Sequence, residues 1–308
     1  LLGTNKISGT GSYIGGIVGG CSRIPNNISG CSVNSTTTVL GTNFVGGLIG
    51  DGSGVSNSSS AAIVEGENNV GGIAGYSSGM VSECTSSAQV TATGNLVGGI
   101  IGGTTTKDVI GYSAGKVAQS SFIGNVSGKD YVGGIIGRGG NGNSITTSFS
   151  TGTISGASNV GGISGAGCVV TNSYSLSEIT GTDAATTAGI TGGEISKTME
   201  KCYFAGTLKG GSQYGISGGG ELYQGAYSNI KNCLTTAAKL SVSDPESDAQ
   251  YVNLTSIQDH LNIINADKVY SEEIVWDEYP NECPKFLWQN PSTKTEGVTV
   301  PSFGTDEW

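Results

Sequence analysis

The phrase Gly-Gly followed by Ile or Leu occurs six times along this chain of 308 residues. A degenerate form follows twice more, as Ala188-Gly189-Ile190 and Tyr214-Gly215-Ile216. The second glycine of each copy falls at residues 16, 47, 72, 99, 134, 162, 189 and 215, so successive copies lie 31, 25, 27, 35, 28, 27 and 26 residues apart. A period in the high twenties predicts a repeat architecture, in which each repeat stacks on its neighbours.

Each repeat contains three short apolar segments separated by Gly, Ser and Asn. The first is the Gly-Gly-Ile phrase, the second opens with Val or Ile and reaches a small residue three positions later (Val81 to Cys84), and the third is an apolar-x-Gly phrase such as Val64-Glu65-Gly66. β-branched residues fill these segments and an apolar period of 3.6 residues is absent, which favours strands over helices. We therefore predict an all-β parallel β-solenoid (β-helix) of about eight three-stranded coils, spaced about 4.8 Å apart.

Stacking places the same repeat position of every coil in one column. The residue after the second glycine is expected to form a continuous interior ladder, each side chain stabilising the fold by about 1.5–3 kcal/mol. The ladder contains Ile17, Leu48, Ile73, Ile100, Ile135, Ile163, Ile190 and Ile216. The long steps of 31 and 35 residues predict insertions near residues 20–38 and 103–116, which we expect to be surface loops.

The repeat fades after Leu240, which divides the chain into a repeat domain, residues 1–243, and an acidic C-terminal capping segment and tail, residues 244–308. Ser256-Ile257-Gln258-Asp259 has the pattern of a capping box, and Ile257, Leu261 and Ile264 give a short α-helix one apolar face. Because the end of a solenoid is an exposed edge, we predict that this helix-containing segment covers it.

Charge is distributed unevenly along the chain. Residues 1–243 carry eleven Lys or Arg and eleven Asp or Glu, whereas residues 244–308 carry three Lys and thirteen Asp or Glu, which accounts for the net charge of −10. This chain lacks the basic surface that nucleic acids and anionic membranes require, so neither is an expected partner. The apolar runs are far shorter than the roughly twenty residues that span a bilayer, which predicts no membrane insertion. The start at Leu1-Leu2 rather than Met suggests that a signal segment has been removed, and we expect a monomer.

Residues that could support catalysis are scarce. The one histidine, His260, lies in the predicted cap helix with no second ligand, which disfavours a His-Glu-x-x-His metallopeptidase or a Ser-His-Asp triad. Most acidic residues of the repeat body occur singly, in different registers: Asp51, Glu83, Asp108, Asp130, Glu178 and Asp183. Glu65 and Glu67 are near neighbours, but we expect them to lie in a turn. We therefore predict no catalytic residues, no cofactor and no metal site.

Four of the seven cysteines, Cys31, Cys84, Cys202 and Cys233, share one repeat position with serines such as Ser148. The alternation of Cys with Ser favours a packed ladder of small groups with free thiols over disulfide bridges. The chain has no Cys-x-x-Cys pair, so zinc binding is not expected.

The next position of the repeat contains a column of aromatic residues: Phe122, Phe149, Tyr174 and Tyr203. Residues two positions earlier would lie on the same face of a strand, and some of them are charged, as at Glu83 and Lys201. This suggests that the face with the aromatic residues is exposed to solvent. The four aromatic residues are then an exposed candidate binding face for a sugar or a partner protein. The alternative is that the register bends and the aromatic residues belong to the core.

The succession Val-Gly-Gly-Ile-x-Gly, Val-Ser-x-Cys/Ser and Val-x-Gly resembles the GLUG motif over about residues 5–240. That repeat occurs in large secreted and surface-anchored bacterial proteins, including adhesins and immunoglobulin A-cleaving metallopeptidases. Val275-Trp276 and Pro284-Lys285-Phe286-Leu287-Trp288 are similar to the closing segment that often follows such repeats. The resemblance implies an extracellular or cell-surface bacterial setting and brings no catalytic residues to this chain. The last two coils depart from the motif because they lose the double glycine.

Together these observations favour a non-catalytic bacterial cell-surface or secreted module that acts as an adhesin or a spacer rod, with a host or matrix protein or a glycan as its partner. One alternative is a carbohydrate-active enzyme, a polysaccharide lyase or glycosidase on a β-helix scaffold, which requires carboxylates clustered in one groove. The second is an ice-binding solenoid, suggested by Thr36-Thr37-Thr38, Thr104-Thr105-Thr106 and Thr146-Thr147. That function requires threonines in aligned columns.

Overall fold

We describe the protein from a computed structural model. It describes residues 4–20, 27–104, 115–140, 142–182, 184–195, 198–219, 229–231, 233–236, 250–251, 276–277 and 285–286. The chain divides into two compact units, Leu1–Tyr251 and Val252–Trp308. The described residues contain no helix, and so none that is long and apolar enough to cross a membrane. The predicted cap helix, with His260, lies outside the described residues.

Strands of successive coils pair in parallel and form five sheets in the first unit, which we number in chain order. Sheet 1 contains Asn5–Ser8, Thr37–Leu40, Ile63–Gly66, Gln89–Ala92, Asn125–Ser127, Thr153–Gly156, Glu178–Gly181 and Thr207–Lys209. Sheet 2 contains Ile14–Gly15, Asn43–Gly46, Asn68–Gly71, Val97–Gly98, Asp130–Gly133, Ser158–Gly161, Thr186–Ala188 and Ser212–Tyr214. Sheet 3 contains Val18–Gly20, Ile49–Gly52, Ala74–Ser77, Ile101–Gly103, Ile136–Arg138 and Ser164–Ala166, and continues through single bridges at Thr191 and Ser217.

The other two sheets complete each coil. Sheet 4 contains Asn27–Ser29, Gly54–Ser56, Met80–Ser82, Lys116–Ala118, Ser144–Thr146, Val169–Thr171, Thr198–Glu200 and Asn229–Lys231. Sheet 5 contains Ser32–Val33, Ser59–Ser60, Thr85–Ser86, Ser121–Phe122, Phe149–Ser150, Tyr174–Ser175, Tyr203–Phe204, Leu234–Thr235 and Gln250–Tyr251. In the second unit, Trp276–Asp277 and Lys285–Phe286 form an antiparallel pair.

The prediction of an all-β parallel solenoid is confirmed, but the number of strands per coil is corrected from three to five. Sheet 1 has eight strands, which corresponds to about seven full turns. The Gly-Gly-Ile phrase is a turn between two strands, as between Asn43–Gly46 and Ile49–Gly52. The second apolar segment is also split, because Asn57, with a φ of 45°, separates Gly54–Ser56 from Ser59–Ser60.

The Gly-Gly-Ile turn lies inside the coil, where glycine is required by close approach. A Cβ atom added to Gly47 would overlap the carbonyl oxygen of Gly72 in the next coil and the hydroxyl of Ser60 in sheet 5. A Cβ atom on Gly46 would overlap the carbonyl oxygen of Ile49 in sheet 3. Sheets 2 and 3 therefore pack backbone against backbone, and the turn that joins them contacts the inner face of sheet 5.

The predicted interior ladder is confirmed with one exception. Seven of its eight members are fully buried, and Ile17, in the first coil, is 42% exposed. Ile17 donates its N–H to Leu48 in the second coil, and no preceding coil is described that would cover its other side. The ladder belongs to one core cluster that includes Val39 of sheet 1, Val45 of sheet 2 and Val55 of sheet 4.

The expected surface loop near residues 20–38 is only partly correct. Asn27–Ser29 and Ser32–Val33 are strands of sheets 4 and 5, and Thr37 begins a strand of sheet 1. These residues are needed in the stack because each coil contributes one strand to these sheets. The rest of that insertion, residues 21–26, and the centre of the second insertion, residues 105–114, lie outside the described residues.

Candidate functional site

The predicted aromatic binding face is buried. Phe122, Phe149, Tyr174 and Tyr203 are only 0%, 6%, 1% and 2% exposed. Phe149, Tyr174 and Tyr203 form a parallel stack, with centroid distances of 5.0 Å and 4.8 Å. Phe122 lies in the neighbouring column of sheet 5, where it pairs with Ser150 and faces the turn at Gly99. The exposed interpretation is therefore wrong, because both positions of these two-residue strands are buried, and the core alternative holds.

The Cys and Ser column forms the predicted ladder of small groups. The Ser148 hydroxyl donates to the carbonyl of Thr146 at 2.9 Å and accepts from the N–H of Ser120 at 3.2 Å. The thiol of Cys84 makes the same backward contact, to the carbonyl of Ser82 at 3.2 Å. Each side chain thus donates a hydrogen bond to the backbone carbonyl of the residue before a left-handed residue.

Within the described residues, Cys31, Cys84, Cys168, Cys202 and Cys233 are free thiols, as the alternation of Cys with Ser indicated. Burial raises the pKa of Cys84 and of Cys168 to about 12. The thiolate is the reactive form of cysteine, so these two side chains are structural groups.

Besides the left-handed residues that precede sheet 5, a second column of left-handed residues lies at the beginning of sheet 2. This second column was not predicted from the sequence. These residues, each three positions before the second glycine, have φ values between 50° and 65°: Tyr13, Phe44, Asn69, Leu96, Tyr131 and Asn159. Tyr13 is 47% exposed, and Phe44 and Tyr131 are partly exposed. Phe44 and Val45 are consecutive apolar residues, but the left-handed Phe44 directs its ring away from the core that Val45 enters.

Seven positions after each left-handed residue, at the end of sheet 3, lies a residue that faces it. In register this column contains Gly20, Asp51, Tyr76, Gly103, Arg138 and Ala166. The guanidinium carbon of Arg138 lies 4.3 Å from the centroid of the Tyr131 ring. A Cβ atom added to Gly20 would lie 3.2 Å from the Cβ of Tyr13. We call these two facing columns the outer corner.

The outer corner is richest in aromatic residues in its first three coils. The rings of Tyr13 and Phe44 stack at 5.0 Å with an interplanar angle of 5°, and Tyr76 meets Phe44 edge-on at 6.1 Å. Asp51 shares the Phe44 coil and lies next to Tyr76 in sheet 3. The corner is therefore an aromatic surface beside a carboxylate, whereas the sequence predicted an exposed aromatic column at Phe149 and Tyr174. An aromatic residue directly before Val-Gly-Gly or Ile-Gly-Gly is the signal that could have located it.

A shallow groove of about 400 Å³ lies at the turns between sheets 1 and 2. Its lining includes Thr42, Glu65, Glu67 and Thr93. Both glutamate side chains are exposed. Among the described residues no three His, Cys, Asp or Glu side chains are close enough to share a metal ion.

The threonine runs do not form aligned columns in the described residues. Thr37 is buried, and the register neighbours of Thr38 are Lys6 and Ile63. Thr104 is also buried, whereas Thr146 pairs in register with Thr171 and accepts its hydroxyl at 3.2 Å. The described threonines of these runs therefore do not form the flat surface that an ice-binding solenoid requires, and Thr105 and Thr106 lie outside the described residues.

Comparison with solved structures finds the same architecture in the crystal structure of a protein named a putative immunoglobulin A1 protease, from Bacteroides ovatus. The two chains are 18% identical, and the match has a TM-score of 0.56 and covers 76% of this chain and 78% of the other. At this identity the likeness concerns the fold. No protein-family model matches the chain, and no curated protein matches it in sequence.

Proposed function

We propose that the solenoid is a non-catalytic binding rod of a secreted or cell-surface bacterial protein, with the aromatic part of the outer corner, in its first three coils, as its contact surface. The observation that carries the proposal is the group formed by the exposed Tyr13 and the partly exposed Phe44 and Tyr76, beside Asp51. Aromatic rings provide large contact area at a small loss of conformational entropy, and a carboxylate among them fixes the orientation of a ligand.

Rigidity supports this function. The backbone positions of the corner are held by the hydrogen bonds of the stack, such as Tyr13 N–H to Asn43 O at 2.9 Å and Leu96 N–H to Asp130 O at 3.0 Å. Side chains on such a scaffold lose little freedom on binding, so weak contacts along successive coils combine. The expected partner is a host or matrix protein or a glycan.

The extracellular setting stays a prediction, because it rests on the resemblance to the GLUG motif. The Bacteroides ovatus protein of the same architecture carries a protease name, which agrees with the occurrence of GLUG repeats in immunoglobulin A-cleaving proteins. We infer that the rod presents or spaces binding surfaces in a protein of this kind.

The experiment is a binding array of glycans and extracellular matrix proteins, with two matched variants. Phe44→Asn removes a ring from the aromatic group, and Tyr131→Asn removes a ring from the same column three coils later. Asn69 and Asn159 already occupy this column with a positive φ, so both variants are expected to fold. We expect Phe44→Asn to lose the bound partner and Tyr131→Asn to retain it. The absence of any array signal, or equal binding by both variants, would contradict the proposal.

A second candidate is a carbohydrate-active enzyme, favoured by the groove that contains Glu65 and Glu67. Paired carboxylates are the chemistry that glycoside cleavage uses. Release of reducing ends from a polysaccharide panel, abolished in Glu65→Gln, would support this candidate. Unchanged polysaccharides would exclude it.

A further inference from the structure

Asp51 is a carboxylate for which the described residues provide no counterion. The residue is 8% exposed, and burial raises the pKa of its carboxyl group. In the described part of the chain no hydrogen bond or ion pair reaches this group. A charged group removed from water without a partner is unfavourable, so a ligand that supplies a positive charge here would gain binding free energy.

Three coils later, the equivalent part of the outer corner contains a cation, Arg138. Tyr131 and Arg138 occupy the positions of Phe44 and Asp51, because both pairs are seven residues apart in equivalent strands. The Arg138 guanidinium lies over the Tyr131 ring and 3.0 Å from the Glu194 carboxylate. Ring, guanidinium and carboxylate therefore come together within the chain at that site. At Phe44 the described residues supply the ring and, in the position of Arg138, a carboxylate, but they supply no guanidinium.

The register neighbour of Asp51 on the preceding coil is Gly20, which has no side chain and is exposed. The ring of Tyr13 borders the position where a side chain on Gly20 would start. A planar cation inserted next to Asp51 would thus contact aromatic surface from Tyr13 and Phe44.

We propose that the outer corner at Tyr13, Phe44 and Asp51 binds an arginine side chain of a partner polypeptide. This inference rests on the proposed binding function and identifies the partner as a protein with an exposed arginine. A guanidinium stacks on aromatic rings and donates two parallel hydrogen bonds to a carboxylate, which a lysine ammonium cannot do. Desolvated cation–π contacts strengthen the interaction further.

The test uses fluorescein-labelled tetra-arginine and, as its uncharged match, labelled tetra-glutamine, with affinity measured by fluorescence anisotropy at 0.15 M salt. Asp51→Asn is compared with Asp130→Asn, which removes the same charge from sheet 2 and keeps the corner intact. Because the chain carries a net charge of −10, the Asp130→Asn control measures the non-specific attraction of a basic peptide to an acidic protein. Circular dichroism confirms that both variants fold.

We expect tetra-arginine to bind the wild-type protein at least tenfold more tightly than it binds Asp51→Asn, and Asp130→Asn to stay within about twofold of the wild type. Equal weakening by both variants would reduce the interaction to non-specific attraction and overturn the inference. A glycan hit on the array, lost in Phe44→Asn but unaffected by Asp51→Asn, would also overturn it while leaving the binding function intact. If neither tetra-arginine nor any array component binds, both proposals fail.

Discussion

Gly134→Ala should destabilise the solenoid strongly although it adds only a methyl group. The new Cβ atom would overlap the carbonyl oxygen of Gly162 in the next coil and would lie 2.7 Å from the Cβ and 2.9 Å from the Oγ of Ser150 in sheet 5. Neither neighbour is the flexible end of a long side chain. The turn can relieve the overlap only by moving away from the next coil.

That movement breaks the hydrogen bonds that join the two turns. They are Gly134 N–H to Gly161 O at 3.3 Å, Ile135 N–H to Ile163 O at 2.9 Å, and Ile136 N–H to Ile163 O at 3.1 Å. With each bond contributing about 1 kcal/mol, the loss is about 3 kcal/mol. This agrees with the upper part of the roughly 1–3 kcal/mol that overpacking of a core usually costs.

Urea unfolding followed by circular dichroism measures this loss. The control is Gly11→Ala, because a Cβ atom at the exposed Gly11 meets no atom within 4 Å. A change of less than about 1 kcal/mol in Gly134→Ala would refute the claim that the double glycine is required by backbone contact inside the coil.

Four further predictions concern single side chains. Tyr174→Ala should lower the free energy of unfolding by about 3–5 kcal/mol, because its buried ring is stacked on both sides; a smaller loss in urea unfolding would restore the exposed interpretation. Ser148→Ala should cost about 1–2 kcal/mol in the same assay and Ser148→Cys less, since only the alanine leaves the Thr146 carbonyl without its donor; equal losses would disprove the ladder. Asp51→Asn should stabilise the protein at pH 7, because a raised pKa means that the fold favours the neutral carboxyl. This advantage should vanish as the pH falls through the pKa of Asp51, and a pH-independent difference in unfolding would contradict it. Cys84 and Cys168 should resist iodoacetamide at pH 8 in the folded protein, as mapped by mass spectrometry, whereas rapid labelling would show that they are accessible thiolates.

The repeat period was sufficient to predict the parallel solenoid and its interior ladder. Leu48 and Ile135 recur in phase, and a column of identical residues can stack only if the coils are equivalent. The strand count was wrong because short strands separated by one left-handed residue look continuous in the sequence. Val81 to Cys84 was interpreted as one segment, but Glu83, with its positive φ, bends the chain there.

The candidate site was predicted in the wrong column for a related reason. Charged residues such as Glu83 and Lys201 were taken to fix the parity of the aromatic column, but both have a positive φ, and the alternation of the strand does not continue through them. Tyr174 therefore turns out to be buried. At the outer corner a left-handed residue has the opposite result. The side chain of Phe44 points away from the core, whereas the next side chain, Val45, is buried in it.

Hydrogen exchange with mass spectrometry, with and without the partner that the array identifies, tests directly whether the outer corner is the binding surface. We expect protection on binding in peptides that cover Tyr13–Gly20, Asn43–Gly52 and Ala74–Ser77, which contain the aromatic part of the outer corner. Protection confined to other coils, or to sheet 5 around Phe149 and Tyr174, would contradict the assignment of the corner as the binding surface.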